Sequence, residues 1–445
     1  MSVGSASADV IRNNQSQAEI FKLKIDHFEE LFDWLSLNNL VALSKTCKRM
    51  QRIAGYYIKT TYAAVKFNCF FTSIYVRDLK MDELSSYMKK LAYDQCLIEH
   101  VRHMRADQFK SVTEIRLRNV TFSDVGISRI KEILGQLETV KLINPRFTSP
   151  NQEFYVSFLQ YCTNVKKLCI QSMKIPIVGR DNGWLLRQYP TLEHFELTYY
   201  EYGNRTVDEL AEFFEQNTNI KTFATNTDII LKHKNIFKNT KAKWDVLSVQ
   251  WNSIFKFDWS LDILNELHER GLFRQLHVYF DESYLDQGTV NGLTSFNGLT
   301  KLFIGPMKNG IDLSPLIGLK QLHILMTDNI TNKSILAETL VNLEFIQFVD
   351  ARVDDIHPFI RFSPNLTKIS VCHLKEKDGH TLNIEQLNKE RSKLSNARKV
   401  TIYVEEHVYL AVKWAKNQTN RGFIEIKRSA SCDTLNHMQG TNFLL

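Results

Sequence analysis

Apolar residues recur along most of this chain in a short fixed pattern, V-x-x-I-x-L, that returns every two or three dozen residues. The first copy is Val112, Ile115, Leu117 and the second Leu137, Val140, Leu142. They are followed by Val165, Leu168, Ile170; by Leu192, Phe195, Leu197; and by Ile220, Phe223, Thr225. Trp244, Leu247, Val249; Phe273, Leu276, Val278; and Leu299, Leu302, Ile304 continue the series. Leu319, Leu322, Ile324; Leu343, Ile346, Phe348; Leu366, Ile369, Val371; and Ala397, Val400, Ile402 complete it. Eleven steps separate Ile115 from Val400, a span of 285 residues, so the mean period is about 26.

Alternation of apolar and polar residues within each copy predicts a short strand whose apolar side chains enter a common stack. The residues between face the opposite way. A period near 26 falls within the roughly 20 to 29 residues of a leucine-rich repeat, where strands line the inside of a horseshoe and helix-like segments the outside. Thr206 and Glu209 form a capping box ahead of Leu210, Phe213 and Phe214, and Asp258 opens a run through Leu261, Leu264 and Leu267 that stops at Gly271. Leu302 and Leu322 stand only 20 apart, which predicts a thinner outer layer and a change of curvature there. The asparagine that normally follows such a strand is clear only at Asn252; Val120, Met173, Asp281 and Thr327 occupy its place elsewhere. The array is therefore degenerate, and a β-helix or a helical solenoid is the competing architecture.

The stretch from Leu23 to Ala54 has a different rhythm. Apolar positions at Phe28, Leu31, Phe32 and Leu35, at Leu40 and Leu43, and at Cys47, Met50, Ile53 and Ala54 predict three short helices, with Asn38 as N-cap of the second. Together they bury little surface, so such a unit leans on a partner. Leu23, Phe28, Leu31, Phe32, Trp34, Leu35, Leu40, Leu43 and Cys47, with Lys48 and Arg49 behind, resemble the F-box, and TCKRMQRIAGYYIKTTY is similar in wording to insect F-box proteins with leucine-rich repeats. Lys24 stands where the F-box carries proline and Met50 where it often carries tryptophan. The resemblance implies that Leu23, Phe28, Leu31, Phe32, Trp34, Leu35, Leu40 and Leu43 dock on the Skp-type linker of a cullin–RING ubiquitin ligase, the repeats holding a target protein. The plainer alternative is a helical cap over the open end of the stack.

This reading divides the chain into a disordered start at 1–19, an F-box at 20–58, a helical connector at 59–109, about twelve repeats at 110–427 and a tail at 428–445. Helices are expected in the connector near Met81 to Tyr93 and Cys96 to Met104, and a final strand at Phe423, Ile424 and Ile426. The fold class is α/β, a leucine-rich-repeat solenoid preceded by three small helices.

At 445 residues and 44% hydrophobic the chain can bury a large core. Its net charge of +7 permits an acidic partner without asking for nucleic acid. Cys47, Cys69, Cys96, Cys162, Cys169, Cys372 and Cys432 form no C-x-x-C pair, which fits reduced thiols of a cytoplasmic or nuclear protein. In that setting the N-x-S/T triplets at Asn119, Asn204, Asn329 and Asn365 stay bare. Residues 1 to 19 lack the apolar run of a signal peptide, and no stretch is long and apolar enough to predict a membrane span. His100 and His103 share a helical spacing, but no cysteine or carboxylate completes a metal set. Nucleotide, zinc-protease and hydrolase motifs are missing, so neither catalytic residues nor cofactors are expected.

Binding is what remains, and the strand pattern locates it. The middle inward position of each copy reads Arg116, Lys141, Cys169, Glu196, Ala224, Ser248, His277, Phe303, His323, Gln347, Ser370 and Thr401. Rings gather at His277, Tyr279, Phe303, His323 and Phe345, the expected target contact, because aromatic residues on a strand face are enriched in binding hot spots. The competing expectation is that these rings pack on one another across neighbouring strands, or lie under the C-terminal tail. Arg116, Arg118 and Lys141 form a second candidate for an acidic or phosphorylated segment.

Overall fold

The computed structural model describes residues 25–32, 35, 37–61, 64–68, 90–94, 111–122, 124–147, 154–172, 181–199, 207, 209–251, 257–280, 285–305, 307–375, 382–414 and 422–428. Leu23, Trp34, the expected helix at Cys96 to Met104, His100, His103, Thr206, Asn252 and the tail beyond Arg428 lie outside the described residues.

Seventeen strands occur among the described residues. They are β1 (Ala64–Asn68), β2 (Lys90–Asp94), β3 (Glu114–Arg118), β4 (Thr121–Phe122), β5 (Thr139–Ile143), β6 (Arg146–Phe147), β7 (Lys167–Ser172), β8 (His194–Tyr199) and β9 (Thr222–Asn226). The series continues with β10 (Trp244–Gln250), β11 (Phe273–Phe280), β12 (Leu299–Ile304), β13 (Gln321–Met326), β14 (Phe345–Arg352), β15 (Lys368–Lys375), β16 (Val400–Val404) and β17 (Ile424–Arg428). All but β4 and β6, which pair with each other, form one sheet in sequence order with every neighbour parallel. Unbroken sequence order in a parallel sheet is what an α/β leucine-rich-repeat solenoid produces, since each repeat places its strand beside the preceding one.

All twelve apolar copies fall on strands, β3, β5 and β7 through β16. Ile115 and Leu117 are buried while Glu114, Arg116 and Arg118 keep some exposure, the alternation that the pattern requires. The expected final strand is β17. The helical connector is corrected: β1 and β2 extend the sheet on its N-terminal side, and Lys90–Asp94 is strand where a helix through Tyr93 was expected.

One backbone arrangement repeats along the array. The carbonyl just before a strand accepts two N–H groups from the next repeat. Thr113 accepts from Glu138 and Thr139, Glu138 from Lys166 and Lys167, Lys166 from Glu193 and His194, and Glu193 from Lys221 and Thr222. Glu344 accepts from Thr367 and Lys368 in the same way. Side chains reinforce the step. At six of the twelve triplets the residue just ahead donates to a carbonyl one repeat back: Gln136 to Val112, Asn164 to Gly135, Thr191 to Val165, Asn219 to Pro190, Asn342 to Ile317 and Asn365 to Val341, at 2.6–3.3 Å. At Asn164, Asn219, Asn342 and Asn365 the turn-satisfying asparagine thus comes before the strand.

Helices fill the outer layer. Leu210–Gln216 starts at Glu209, which makes no side-chain cap, and Phe257–Glu269 begins one residue before Asp258. It stops at Gly271, whose φ of 72° is left-handed. Between the sheet and these helices the middle of the core is aromatic, with Phe195, Phe213, Phe214, Phe223 and Trp244 joined at ring separations of 4.4–5.7 Å. The thin outer side is where spacing put it. From β12 to β13 no helix occurs among the described residues; buried Leu313, Leu316 and Leu319 close the core instead.

Three helices, Ile25–Phe32, Leu37–Ser44 and Lys48–Thr61, precede the sheet. Phe28 and Phe32 pack at 5.9 Å and Phe32 meets Tyr57 edge-on at 5.4 Å. The Tyr57 hydroxyl also accepts from Arg428 of β17 at 3.4 Å, so these helices touch the last strand.

Arg391 is fully buried, and burial holds its guanidinium down to about 10. It donates to the carbonyls of Ile360, Ser363, Pro364, Leu366 and Arg398 at 2.7–3.2 Å, closing the turn before β15. A buried charge without a carboxylate survives because every fork position is satisfied. Arg391→Ala is expected to lower stability by about 3–5 kcal/mol by orphaning those acceptors. Arg391→Lys should recover only part, as three donors replace five; urea unfolding at neutral pH measures both.

Candidate functional site

Among the residues expected to meet a linker, Phe28, Phe32 and Leu40 are wholly buried and act as core, whereas Leu31, Leu35 and Leu43 pack on that core while retaining exposure. Of these six described residues, the latter three retain apolar area that can face another protein. Leu31 belongs to Ile25–Phe32 and Leu43 to Leu37–Ser44, with Leu35 in the turn between them.

On the sheet, inward residues form rows. Arg116, Lys141, Cys169, Glu196, Ala224, Ser248 and His277 lie in register as expected. The row then departs from the expected one. Leu276 pairs with Leu299 but His277 pairs with Lys301, a bulge that passes over Thr300. The His277 row therefore continues through Lys301, Gln321, Phe345, Lys368 and Thr401. Phe303 pairs with Tyr279, and with His323, Gln347, Ser370 and Tyr403 forms the next row. Triplet spacing could not reveal this two-residue offset, and it hid Lys301 from the inner face.

The register brings the expected rings together. Tyr279 stacks on Phe303 at 6.0 Å, Phe303 meets His323 at 6.2 Å, and His323 stands edge-on to Phe345 at 5.0 Å. Lys301 lies over Tyr279 at 5.5 Å, and Lys368 over Phe345 at 4.7 Å and Tyr403 at 4.9 Å. Packing among the rings is thus what the structure shows. Tyr279 and His323 are buried; His277, Phe303 and Phe345 are partly exposed.

The rest of the inner face is a polar interior. Glu196, Gln171, Thr198, Ser248 and Gln250 are all at most 3% exposed. Gln171 donates to Glu196 at 2.6 Å, while burial raises the Glu196 carboxyl above its usual range. Burial pushes the Lys301 ammonium down to about 8, helped by Lys167. His323 Nδ1 lies 2.8 Å from Gln347 Oε1 and donates to it, and Gln347 in turn donates toward Cys372 Sγ at 3.7 Å. That tautomer leaves His323 Nε2 as a buried acceptor without a partner. Burial, with Lys301 next, holds the His323 ring well below the usual imidazole range and takes His277 down to about 3.

Arg116 and Lys141 stand side by side in register, with Arg118 opposite Ile143. Lys141 pairs with Glu114 of the adjacent β3 at 3.5 Å, so the basic group is partly neutralised across the strand pair. No cluster suited to a metal ion occurs among the described residues, and no described helix is long and apolar enough to cross a membrane.

No family model and no curated protein matches this chain. Solved structures resemble it. A leucine-rich repeat-containing protein, LegL7, from Legionella pneumophila is 12% identical, covering 68% of this chain and 98% of its own, with a TM-score of 0.39. A yeast Rad7 and Elc1 complex gives 13% identity over 81% of this chain and 90% of the matched one, TM-score 0.35. An internalin, InlF, from Listeria monocytogenes gives 15% over 81% and 88%, TM-score 0.28.

Two depressed imidazoles make stability depend on pH. Above about 6.5 both rings are neutral in the folded and unfolded chain; below it the unfolded chain takes up protons that His277 resists down to about 3. Stability should therefore fall on acidification, by up to about 2 kcal/mol for each ring between pH 7 and pH 5. Lys301 adds to the resistance at both rings and Lys368 at His323, while Gln347 opposes it at His323. The double variant His277→Gln with His323→Gln should flatten this slope in urea midpoints measured across that range.

Proposed function

We propose that this protein is a substrate-recognition adaptor of an SCF-type ubiquitin ligase: the N-terminal helices bind the Skp-type linker, and through it a cullin, and the repeats hold a target protein for ubiquitination. The observation that carries this reading is the F-box-like series Phe28, Leu31, Phe32, Leu35, Leu40 and Leu43, split in the fold between a buried core and a partly exposed set, Leu31, Leu35 and Leu43. A leucine-rich-repeat solenoid supplies the protein-binding half. The adaptor makes and breaks no bond itself; it raises the effective concentration of target lysines near the charged conjugating enzyme.

A second reading, a repeat scaffold with a helical cap, is favoured by the Tyr57–Arg428 contact, which makes the N-terminal helices part of the array. Affinity capture with the full chain and with a chain lacking residues 20 to 58 separates the two. Linker and cullin lost while target is retained is the adaptor result; neither linker nor cullin captured by the full chain is the scaffold result.

Leu31→Arg and Leu35→Arg are each expected to cut linker capture by at least about tenfold, since a charge forced into an apolar contact costs several kcal/mol, while target capture persists. Wild-type linker capture by both variants would end the F-box assignment. For the target, Phe303→Ala with His323→Ala is expected to abolish capture, and Arg116→Gln with Lys141→Gln to leave it within about threefold. Linker capture reports folding in both. Loss only in the basic pair, or in neither, would remove the aromatic row as the contact.

A further inference from the structure

The segment KNIFKNTKAK, residues 234 to 243, carries four lysines and no acidic residue. It forms the short helix Lys234–Asn239 and the turn that leads into β10. That turn is held against the end of the next outer helix, Phe257–Glu269. The Trp244 N–H donates to the Leu272 carbonyl at 2.7 Å, and Lys238 pairs with Glu266 at 2.6 Å. Beside these contacts a cavity of about 90 Å³ opens to solvent. Its floor is the buried Phe237, Leu267 and Leu272, and its rim is Thr240, Lys241, Lys243 and Arg270. Left-handed Gly271 also borders it, and a Cβ built there would meet nothing within 4 Å.

Lys241, Lys243 and Arg270 are exposed and make no ion pair or side-chain hydrogen bond among the described residues. No acidic residue borders the cavity, since Glu266 is taken by Lys238 and Asp245 of β10 by Arg274 at 3.5 Å. Three like charges gathered on one small rim repel one another. A plainer role for them is to offset the negative end of Phe257–Glu269. Backbone donors already meet that end: Arg270 N–H reaches the Glu266 carbonyl, Leu272 N–H that of Leu267 and Gly271 N–H that of His268, at 2.8–3.1 Å.

The cavity and its rim suit one compact anion. A single water needs roughly 10–15 Å³ of cavity, so this one admits a headgroup of five heavy atoms. A phosphate group carries about two negative charges near neutral pH, where a carboxylate carries one, and it suits a guanidinium fork. The Thr240 hydroxyl accepts from the Ala242 N–H at 3.2 Å, which leaves its own O–H to donate.

We propose that Thr240, Lys241, Lys243 and Arg270 form a binding site for one phosphate group in the outer layer of the array. The phosphate is either the free ion or the end of a phosphorylated side chain of a bound protein. The site stands apart from the adaptor reading, since it requires neither a linker nor ubiquitin transfer.

Isothermal titration of the full chain at pH about 7.5 and fixed ionic strength tests it, with inorganic phosphate, N-acetyl phosphoserine amide and acetate as probes. One saturable phosphate per chain is expected, weakened by about tenfold or more in Lys241→Gln with Lys243→Gln and in Arg270→Gln. Acetate should bind wild type about tenfold more weakly than phosphate. A control of equal charge loss, Lys308→Gln with Lys320→Gln at exposed lysines outside the cavity, should bind as wild type does. All these side chains are exposed, so the variants should stay folded, and urea midpoints check this. Binding of the phosphoserine probe marks a site for a phosphorylated protein; binding of inorganic phosphate alone marks one for the free ion. No saturable binding of either at millimolar concentration would overturn the assignment and leave the cations to the helix end. So would equal binding by the rim variants and wild type, equal loss in the control pair, or acetate bound as tightly as phosphate.

Discussion

The structure depends on backbone hydrogen bonds that cross from one repeat to the next. A strand of five or six residues bonded only on one side is not a stable object. Here, at seven steps of the described array, the carbonyl that precedes a strand is shared by two N–H groups of its successor, as Glu138 is by Lys166 and Lys167, and the apolar triplet seals the stack behind it. No repeat satisfies its own backbone, so each is folded only in company. The same constraint explains why the outer layer can vary from a thirteen-residue helix at Phe257–Glu269 to the helix-free crossing between β12 and β13 without disturbing the sheet. The outer chain only has to deliver the next strand at the right height.

Sheets covered on both faces usually carry apolar residues on both. This one has an apolar outer face and a polar inner face that is nevertheless largely buried, at Gln171, Glu196, Thr198, Ser248, Gln250 and His323. In such a medium each polar group is forced toward its neutral form or toward a partner. Glu196 moves up, Lys301 moves down, and His277 and His323 remain unprotonated, all with burial as the leading cause. Chemistry on this face therefore follows from curvature: the residue types are ordinary, and bending the sheet gives them an unusual environment.

The sequence made the array legible because a triplet of buried positions repeated twelve times is a demand of the core itself. β1 and β2 escaped because AVKFN and KLAYD carry no full triplet and lie within an aromatic and basic stretch that resembles a helical linker. The turn asparagines were in plain view at Asn164, Asn219, Asn342 and Asn365, but ahead of the strand, where a search behind it passes over them. The candidate site was half legible. Composition showed the rings, yet their neighbours are set by a bulge between β11 and β12, and a skipped residue leaves no mark in apolar spacing. Burial was the other hidden variable, because alternation tells which way a side chain points and not how narrow the space in front of it is.

Solenoids are commonly treated as open chains of coupled units in which a perturbation at one end must travel through every repeat to reach the other. The hydrogen bond from Arg428 to Tyr57 joins residues 371 positions apart and turns that line into a circuit. A load on the N-terminal helices reaches β17 directly as well as through the fourteen strands before it in the sheet. Fraying, which in an open array begins at whichever terminal unit is weakest, must here first break a contact at both ends at once. Whatever grips the helices therefore also pulls on the far edge of the sheet.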